Sequence, residues 1–289
     1  MISVILNAYK RQHVLNAQIK NVLEQSKPAE RVLIWNNGTH LNIKNFEDKV
    51  VVANSSENLG VWSRFAFALN ADTEYVCVLD DDTFPSNRFF ESCLEQMRRK
   101  PALLGCRGLR FLSHSRYHPF QSFGWDCPNE NAEVVDIVGH AWFFKREWLS
   151  IFWREQPKAG VSRLVGEDMH FSYTLQKYLN IETVVPAHPK NDISIWGSNP
   201  EMALELGTSK EAISQKESAL RKFDEALKSY TSSGFKLYKD QHKLPENGYV
   251  IGPGLSRSKL IKNLASKYPK FGSFSRKIQK KLIDFKIHI

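Results

Sequence analysis

The chain has 289 residues, of which 42% are hydrophobic and 12% aromatic. This composition excludes a fully disordered chain, and the length is sufficient for one large hydrophobic core. Its formal net charge of +9 is concentrated at the C-terminal end, because residues 255–289 hold ten lysines and arginines and one acid, Asp284. Residues 1–254 carry equal numbers of basic and acidic side chains and contain no motif that reads nucleic acid, which argues against a nucleic-acid-binding module.

Three features of the sequence predict a cytoplasmic location. The apolar segment at residues 2–6 is too short for a signal peptide and lacks a basic start. No apolar run approaches the roughly 18 residues that a membrane-spanning helix needs. The four cysteines show no C-x-x-C spacing, which is typical of free thiols in a reducing compartment.

Short apolar segments alternate with helical patterns through the first third of the chain. Segments rich in β-forming residues predict strands at residues 2–6, 31–35, 49–53 and 75–79. After the first and third of these strands, apolar residues recur at three- and four-residue steps, which predicts helices. This order predicts a doubly wound, mostly parallel α/β sheet with helices on both faces.

Polar side chains follow each of the four strands at the point where the strand ends. They are Asn7, Tyr9 and Arg11, then Asn36 and Asn37, then Asn58 and Arg64, and finally Asp80, Asp81 and Asp82. Ligands of doubly wound sheets bind beyond the carboxyl ends of the strands. We therefore expect these side chains to meet in one binding site.

The three adjacent carboxylates stand out, because they follow a buried apolar strand directly. Adjacent carboxylates repel one another and are costly to bury without compensation, which a divalent cation with bound phosphates supplies. Oxygen ligands suit Mg²⁺ and Mn²⁺. Alternation along an extended chain places Asp80 and Asp82 on one side and Asp81 on the other. The sequence predicts a metal clamp of Asp80 and Asp82, with Asp81 facing a ribose or the metal's water shell; a solvated acidic loop is the alternative.

The rest of the body continues the alternation of strands and helices. Further strands are predicted at residues 102–106, 134–144 and 183–185. Gly139 and His140 interrupt the second of these, at a place where a ligand or another backbone could approach closely. A helix is predicted to open at Gly166, and the aromatic segment 110–131 is interpreted as a loop.

Five passages occur in the order of a known enzyme family. They are N-x-Y-K-R at residues 7–11, W-N-N at 35–37, N-x-x-x-x-x-R at 58–64, D-D-D-T at 80–83 and G-E-D at 166–168. The set resembles glycosyltransferases of the GT-A fold, and more narrowly the exostosin-like branch that synthesises heparan-type chains. General family-two transferases share most of these passages. The resemblance covers residues 2–190.

The resemblance implies a hexosyl- or N-acetylhexosaminyltransferase that uses a nucleotide-diphosphate sugar, a UDP-sugar in particular, together with Mn²⁺ or Mg²⁺. The residues that it places around the donor are Asn7, Tyr9, Arg11, Asn36, Asn58, Arg64, Asp80 and Asp81. The chemistry agrees, because guanidinium groups bind phosphate oxygens bidentately and an Asn amide matches a uracil edge. Taken alone, a surface arginine or a turn asparagine would explain several of these residues equally well.

The same resemblance assigns the reacting groups. Asp168, at a helix start, would take the proton of the acceptor hydroxyl, although Glu167 could fill that role instead. His188 follows the last predicted strand and would be a third metal ligand beside Asp80 and Asp82; a structural histidine is the alternative. The exostosin-like branch carries an arginine near the donor diphosphate that residues 195–199 lack, which favours inversion over retention.

The domain prediction follows the resemblance. Residues 1–232 are predicted to form the catalytic domain, with a nucleotide-sugar-binding half at 1–106 and an acceptor-binding half at 107–232. The aromatic segment 110–131 would select a saccharide acceptor, since aromatic faces stack on sugar rings. Residues 233–289 are predicted to form a basic C-terminal extension.

Apolar and basic residues in segment 255–289 alternate at helical spacing, which predicts an amphipathic helical tail. Such a helix suits an anionic membrane surface and a lipid-linked acceptor at the inner membrane face, so the enzyme would be peripheral there. The alternative is a helix packed on the body with a solvated basic face.

Two other functions fit part of the pattern. An aspartate-dependent phosphotransferase would use a D-x-D-x-T motif, but position 84 is Phe and that nucleophile would follow the first strand. A catalytically inactive, transferase-like binding module would keep the fold without the reaction.

Overall fold

The computed structural model describes residues 1–38, 41, 43, 48–158, 162–207, 217–244 and 250–251. The strands are β1 Ile2–Ala8, β2 Arg31–Asn37, β3 Val50–Ser55, β4 Tyr75–Leu79, β5 Leu103–Leu104, β6 Arg107–Phe111, β7 Phe120–Gly124, β8 Glu133–Val135, β9 Ile137–Gly139, β10 Ala141–Lys145, β11 Thr183–Val185 and β12 Val250–Ile251. The helices are α1 Gln12–Leu23, α2 Ser63–Phe67, α3 Phe89–Arg99, α4 Leu149–Phe152, α5 Glu167–Leu179, α6 Pro200–Gly207, α7 Glu217–Ser232 and α8 Tyr238–Gln241.

A large sheet forms the centre of the body, with strand order β3-β2-β1-β4-β10-β5-β11-β8. The first four strands of this order are parallel to one another, and β11 is parallel to β5. The remaining pairs, β4–β10, β10–β5 and β11–β8, are antiparallel. The predicted α/β architecture with a mostly parallel sheet is confirmed.

Strand β4 lies in the middle of this sheet, between β1 and β10. Val76, Cys77, Val78 and Leu79 are fully buried. A strand covered on both faces needs a continuous apolar sequence, and that is why the periodicity of residues 75–79 predicted it correctly. The carboxylates that follow Leu79 are therefore held at the end of a rigid central strand.

A second, four-stranded sheet has the order β12-β7-β6-β9, and its strands pair antiparallel. Its strand β7 corrects the interpretation of residues 110–131 as a loop. The polar side chains of Gln121 and Ser122 are buried there, so the alternating pattern that marks a half-exposed strand is absent.

The predicted strand at residues 134–144 is three strands, because the chain changes sheets within it. Asp136 separates β8 in the large sheet from β9 in the small one. Its carboxylate accepts hydrogen bonds from the backbone N–H groups of Phe111, at 2.6 Å, and Tyr238. His140 then separates β9 from β10 with a left-handed backbone, at φ +64°.

The packed body runs from Met1 to Ile251. Phe235 and Leu237 are buried in a cluster that includes Ala226, Leu227 and Tyr230 of α7. Two residues of the predicted C-terminal extension therefore pack against α7, and the division into domains stays a prediction.

The predicted amphipathic tail, residues 255–289, lies outside the described residues. In the part of the chain that the structure describes, no helix has both the length and the apolar character that crossing a membrane requires.

Candidate active site

The parallel strands bring the predicted polar residues to one edge of the large sheet. Residue pairing sets Leu6 beside Leu79 and Ala8 beside Asn36, so β1, β2 and β4 end at similar heights. The backbone N–H of Asp80 donates to the carbonyl of His140 at 3.0 Å, and this bond draws the start of β10 to the acids.

Asp80, Asp82 and His140 form a compact cluster at this edge. Each offers one ligand atom, and these atoms all lie within 4.8 Å of one another. The Nδ1 atom of His140 lies 3.3 Å from Oδ1 of Asp82 and makes no hydrogen bond among the described residues, although it is buried. The ring of His140 rests edge-on against Trp125, with the ring centroids 5.5 Å apart. Two carboxylates and a buried, uncommitted imidazole nitrogen fit a divalent cation.

Asp81 forms its ion pair with an arginine that also lies 4.0 Å from Oδ2 of Asp82. Its carboxylate pairs with the guanidinium of Arg11, which also donates to the carbonyl of Leu206 in α6 at 2.8 Å. The pKa of Asp81 is raised to about 7, chiefly by burial; the charge of Arg11 opposes this shift, and the charges of Asp82 and Asp80 add to it. The Asp81–Arg11 pair therefore links the acid triplet both to α1 and to the C-terminal part of the body.

Arg64 is the second cation of the site. Its Nη1 atom pairs with Asp80, and its Nη2 atom donates to Oε1 of Glu167 at 3.0 Å. The side chain is only 3% exposed, and its guanidinium carbon lies 4.4 Å from the ring centroid of Trp142. A buried guanidinium placed between two carboxylates offsets part of the negative charge of each.

Helix α5 presents Glu167 and Asp168 at its first turn, as predicted, after Gly166 in the left-handed region at φ +97°. Glu167 is buried against Arg64, whereas Asp168 is half-buried and accepts a hydrogen bond from the N–H of Met169 at 2.7 Å. Burial raises the pKa of both carboxyls above the ordinary range, and the mutual charge adds to the shift of Glu167. Asp168 is thus the more accessible carboxylate of the two.

The asparagines at the ends of β2 and β3 shape the neighbouring loop. The amide nitrogen of Asn36 donates to Oδ1 of Asn54 at 2.8 Å. Oδ1 of Asn37 accepts from the N–H of Leu59, and Oδ1 of Asn58 accepts from the N–H of Gly60, both at 2.8 Å. Asn37 and Asn58 therefore hold the loop that leads into α2 and Arg64.

Gly60 allows this loop to touch the segment before α5. Its φ is +83°, and a Cβ atom at this position would lie 2.0 Å from the carbonyl oxygen of Arg163. The N–H of Val61 donates to the same carbonyl at 2.9 Å. No larger residue fits here, so the approach of the two loops depends on glycine.

Asn7 and Tyr9 occupy the end of β1 and the turn after it, beside the same edge, and both are half-buried. Oδ1 of Asn7 is buried and makes no hydrogen bond within the described ranges of the chain. An acceptor atom without a partner inside a cleft is a point where a ligand donor could bind.

The structure does not bring His188 to the carboxylates, and its predicted role as a metal ligand is not supported. The residue is fully buried. Its Nδ1 atom bonds the carbonyl of Pro186 at 2.8 Å, and its Nε2 atom accepts from the N–H of Gly197 at 2.9 Å. Burial lowers its pKa to about 4. Both ring nitrogens of His188 are hydrogen-bonded to backbone groups, so the side chain joins the segment at Pro186 to the segment at Gly197.

His140 takes the place that sequence reasoning gave to His188. The sequence does hold a signal for it, since Gly139 and His140 interrupt a predicted strand. The sequence could not show that β10 lies directly beside β4, and this pairing is what carries His140 to Asp82.

Residues 3–160 match the family model described as "Glycosyl transferase family 2", which is more than half of the chain. No curated protein matches the chain in sequence. Among solved structures, TarS of S. aureus, residues 1–349, is 15% identical with a TM-score of 0.43, over 81% of this chain and 73% of that one. A second TarS structure has the same identity and TM-score, over 77% of this chain and 42% of that one.

Proposed function

The chain belongs to glycosyl transferase family 2, and we propose that it transfers a hexosyl or N-acetylhexosaminyl group from a UDP-sugar to a saccharide or a lipid-linked saccharide. Family membership makes it a GT-A glycosyltransferase with a nucleotide-sugar donor and a separate acceptor. The observation that carries the finer proposal is the cluster of Asp80, Asp82 and His140 beside two buried arginines. The exostosin-like branch stays a prediction within this family.

Asp80, Asp82 and His140 would hold the divalent cation of the reaction. A bound cation would neutralise the charge that develops on the leaving diphosphate. Carboxylate oxygens suit Mg²⁺ and Mn²⁺ alike, whereas an imidazole nitrogen suits transition metals. This mixed set of ligand atoms favours Mn²⁺ over Mg²⁺.

The donor would lie along the ends of β1, β2 and β4. Arg11 and Arg64 supply guanidinium groups for the diphosphate oxygens, with Asp81 and Tyr9 beside them. Oδ1 of Asn7 is an acceptor suited to the N3–H of uracil, and the amide of Asn36 is close by in the adjacent strand. The polar groups of Asn7 and Asn36 support a uridine donor. Asn58 would contribute to donor binding indirectly, because it holds the loop before Arg64.

Asp168 would act as the general base. Its carboxylate takes the proton of the acceptor hydroxyl while that oxygen attacks the anomeric carbon, and the bond to the diphosphate breaks with its electron pair leaving on the phosphate oxygen. This single displacement inverts the anomeric configuration. Glu167 is committed to Arg64, which supports Asp168 rather than Glu167 in this role.

The acceptor and the tail complete the proposal. Segment 110–131, with its aromatic residues in and before β7, would contribute to the choice of a saccharide acceptor. Residues 255–289 would bind an anionic membrane surface, so that the enzyme works peripherally at the inner face on an acceptor that is saccharide or lipid-linked.

Release of UDP from a panel of nucleotide sugars, with and without saccharide acceptors, tests this function. We expect Mn²⁺-dependent release from one UDP-sugar, faster with an acceptor, and a product of inverted configuration by NMR. Release of phosphate from simple phosphate esters, without any nucleotide-sugar turnover, would contradict it in favour of a phosphotransferase.

A further inference from the structure

Arg64 connects two carboxylates that come from different parts of the fold. Asp80 follows the central strand β4, and Glu167 opens helix α5, which carries the proposed base. The guanidinium touches both, through separate nitrogens. We call this arrangement of Asp80, Arg64 and Glu167 the Arg64 bridge.

The bridge shares Asp80 with the proposed cation site. Asp80 belongs to the cluster with Asp82 and His140, and it also pairs with Arg64. A divalent cation at that cluster would therefore lie near a buried guanidinium of the same charge sign. Such repulsion is weakly screened, because Arg64 is 3% exposed and Glu167 7%.

Arg64 also has a second carboxylate to retain it. Nη2 of Arg64 donates to Oε1 of Glu167 at 3.0 Å, whereas Asp80 pairs with the other nitrogen, Nη1. The ring of Trp142 packs against one face of the guanidinium. The guanidinium does not need to leave the site when the cation approaches, because its charge remains paired with Glu167.

We propose that Arg64 competes with the divalent cation for Asp80 and, through Glu167, couples cation binding to the start of helix α5; this inference rests on the proposed cation site. Without the cation, Arg64 neutralises Asp80. When the cation binds, the pairing shifts towards Glu167, which holds the first turn of α5 and hence Asp168. Towards the cation Arg64 is a positioning residue, since it acts on cation binding through the two carboxylates.

The competition predicts opposite changes at the two ends of the bridge. In Arg64→Gln the competitor is lost, so we expect Mn²⁺ to bind about tenfold more tightly or better. In Glu167→Gln the guanidinium is left with Asp80 alone, so we expect weaker Mn²⁺ binding. The effect of Glu167→Gln should shrink in the double variant, because it acts through Arg64.

We would measure the Mn²⁺ affinity by titrating the full chain with Mn²⁺ in the absence of nucleotide. Calorimetry or the EPR signal of free Mn²⁺ reports the binding. Arg31→Gln is the matched control, since Arg31 forms an exposed pair with Asp72 at the opposite end of β2 and should leave the Mn²⁺ affinity unchanged. Arg64→Lys, which keeps the charge, should stay near the wild-type affinity. A merely structural role for Arg64 would instead weaken Mn²⁺ binding.

Folded Arg64→Gln with unchanged or weaker Mn²⁺ affinity overturns the inference while leaving the cation site intact. If the wild-type chain binds no Mn²⁺, both the proposed cation site and the proposed competition are wrong. If Arg64→Gln does not fold, the Mn²⁺ affinity of Glu167→Gln tests the competition instead. An unchanged or tighter Mn²⁺ affinity in that variant overturns the inference.

Discussion

His140 Nδ1 lies 3.3 Å from Asp82 Oδ1, across the junction between the end of β4 and the start of β10. Antiparallel pairing of these two strands sets Ala141 beside Leu79, so the histidine and the acids emerge at the same point. The left-handed backbone of His140 then turns its ring towards the carboxylates. A histidine from an antiparallel strand thus complements a motif delivered by a parallel one.

Replacing His140 by Asn tests this relationship. Asn tolerates a left-handed backbone but lacks the imidazole, so the fold should persist. We expect Mn²⁺ affinity to fall about tenfold or more, since one direct ligand is lost. His114→Asn is the control, because His114 is an exposed histidine paired with Asp240. Unchanged Mn²⁺ affinity in folded His140→Asn would remove His140 from the ligand set.

Asp168→Asn and Glu167→Gln separate the proposed base from the residue that holds Arg64. We expect Asp168→Asn to lower kcat by about 10²-fold or more with the donor KM nearly unchanged, the signature of a group that acts in the transition state. Glu167→Gln should cost less in kcat and should alter cation binding. If Glu167→Gln gives the larger loss in kcat at saturating Mn²⁺, the base is assigned one position too far along the helix.

We expect the folded chain to become less stable as the pH falls, because His188 is buried in its neutral form. Its pKa is lowered by burial to about 4 in the folded chain, against about 6.5 when unfolded, so the folded state favours the neutral ring. As pH falls through 6.5 the unfolded chain takes up a proton that the folded chain refuses, and stability decreases until about pH 4. The loss at pH 5 is about 2 kcal/mol.

Thermal unfolding at pH 7.5 and pH 5 checks this value. His188→Gln should be less stable at pH 7.5 and should show a smaller decrease in Tm between the two pH values than the wild type. His170, buried between Tyr230 and the carbonyl of Phe152, has its pKa lowered in the same direction and keeps part of the dependence. An equal pH dependence in both proteins would contradict the assignment to His188.

The parts of the fold that were predicted correctly are those with local signals. Strand β4 is apolar throughout because it is covered on both faces, and Gly166 with two acids marks the start of α5. Strand β7 is not predicted because Gln121 and Ser122 are polar but buried, so the sequence lacks the alternation of a half-exposed strand. His188 was mistaken for a ligand because the sequence cannot show that Pro186 and Gly197 occupy both of its nitrogens.

The basic tail gives a prediction that is independent of the active site. Removing residues 255–289 should leave UDP-sugar hydrolysis intact, because all residues of the proposed site precede that segment. It should abolish sedimentation with anionic liposomes at low salt, since each basic residue near such a surface contributes about 1 kcal/mol at most. Neutral liposomes and high salt are the controls. Failure of the full chain to bind anionic liposomes at low salt would contradict the membrane proposal.

The central claim is that Asp80, Asp82 and His140 hold a cation that the transfer reaction needs. Its most direct test measures UDP-sugar turnover and Mn²⁺ binding together in the wild type and in Asp82→Asn. We expect chelator to abolish wild-type turnover, Mn²⁺ to restore it, and Asp82→Asn to lose about 10²-fold or more with an unchanged melting profile. Full turnover in chelator, or wild-type turnover and Mn²⁺ affinity in Asp82→Asn, would contradict the claim.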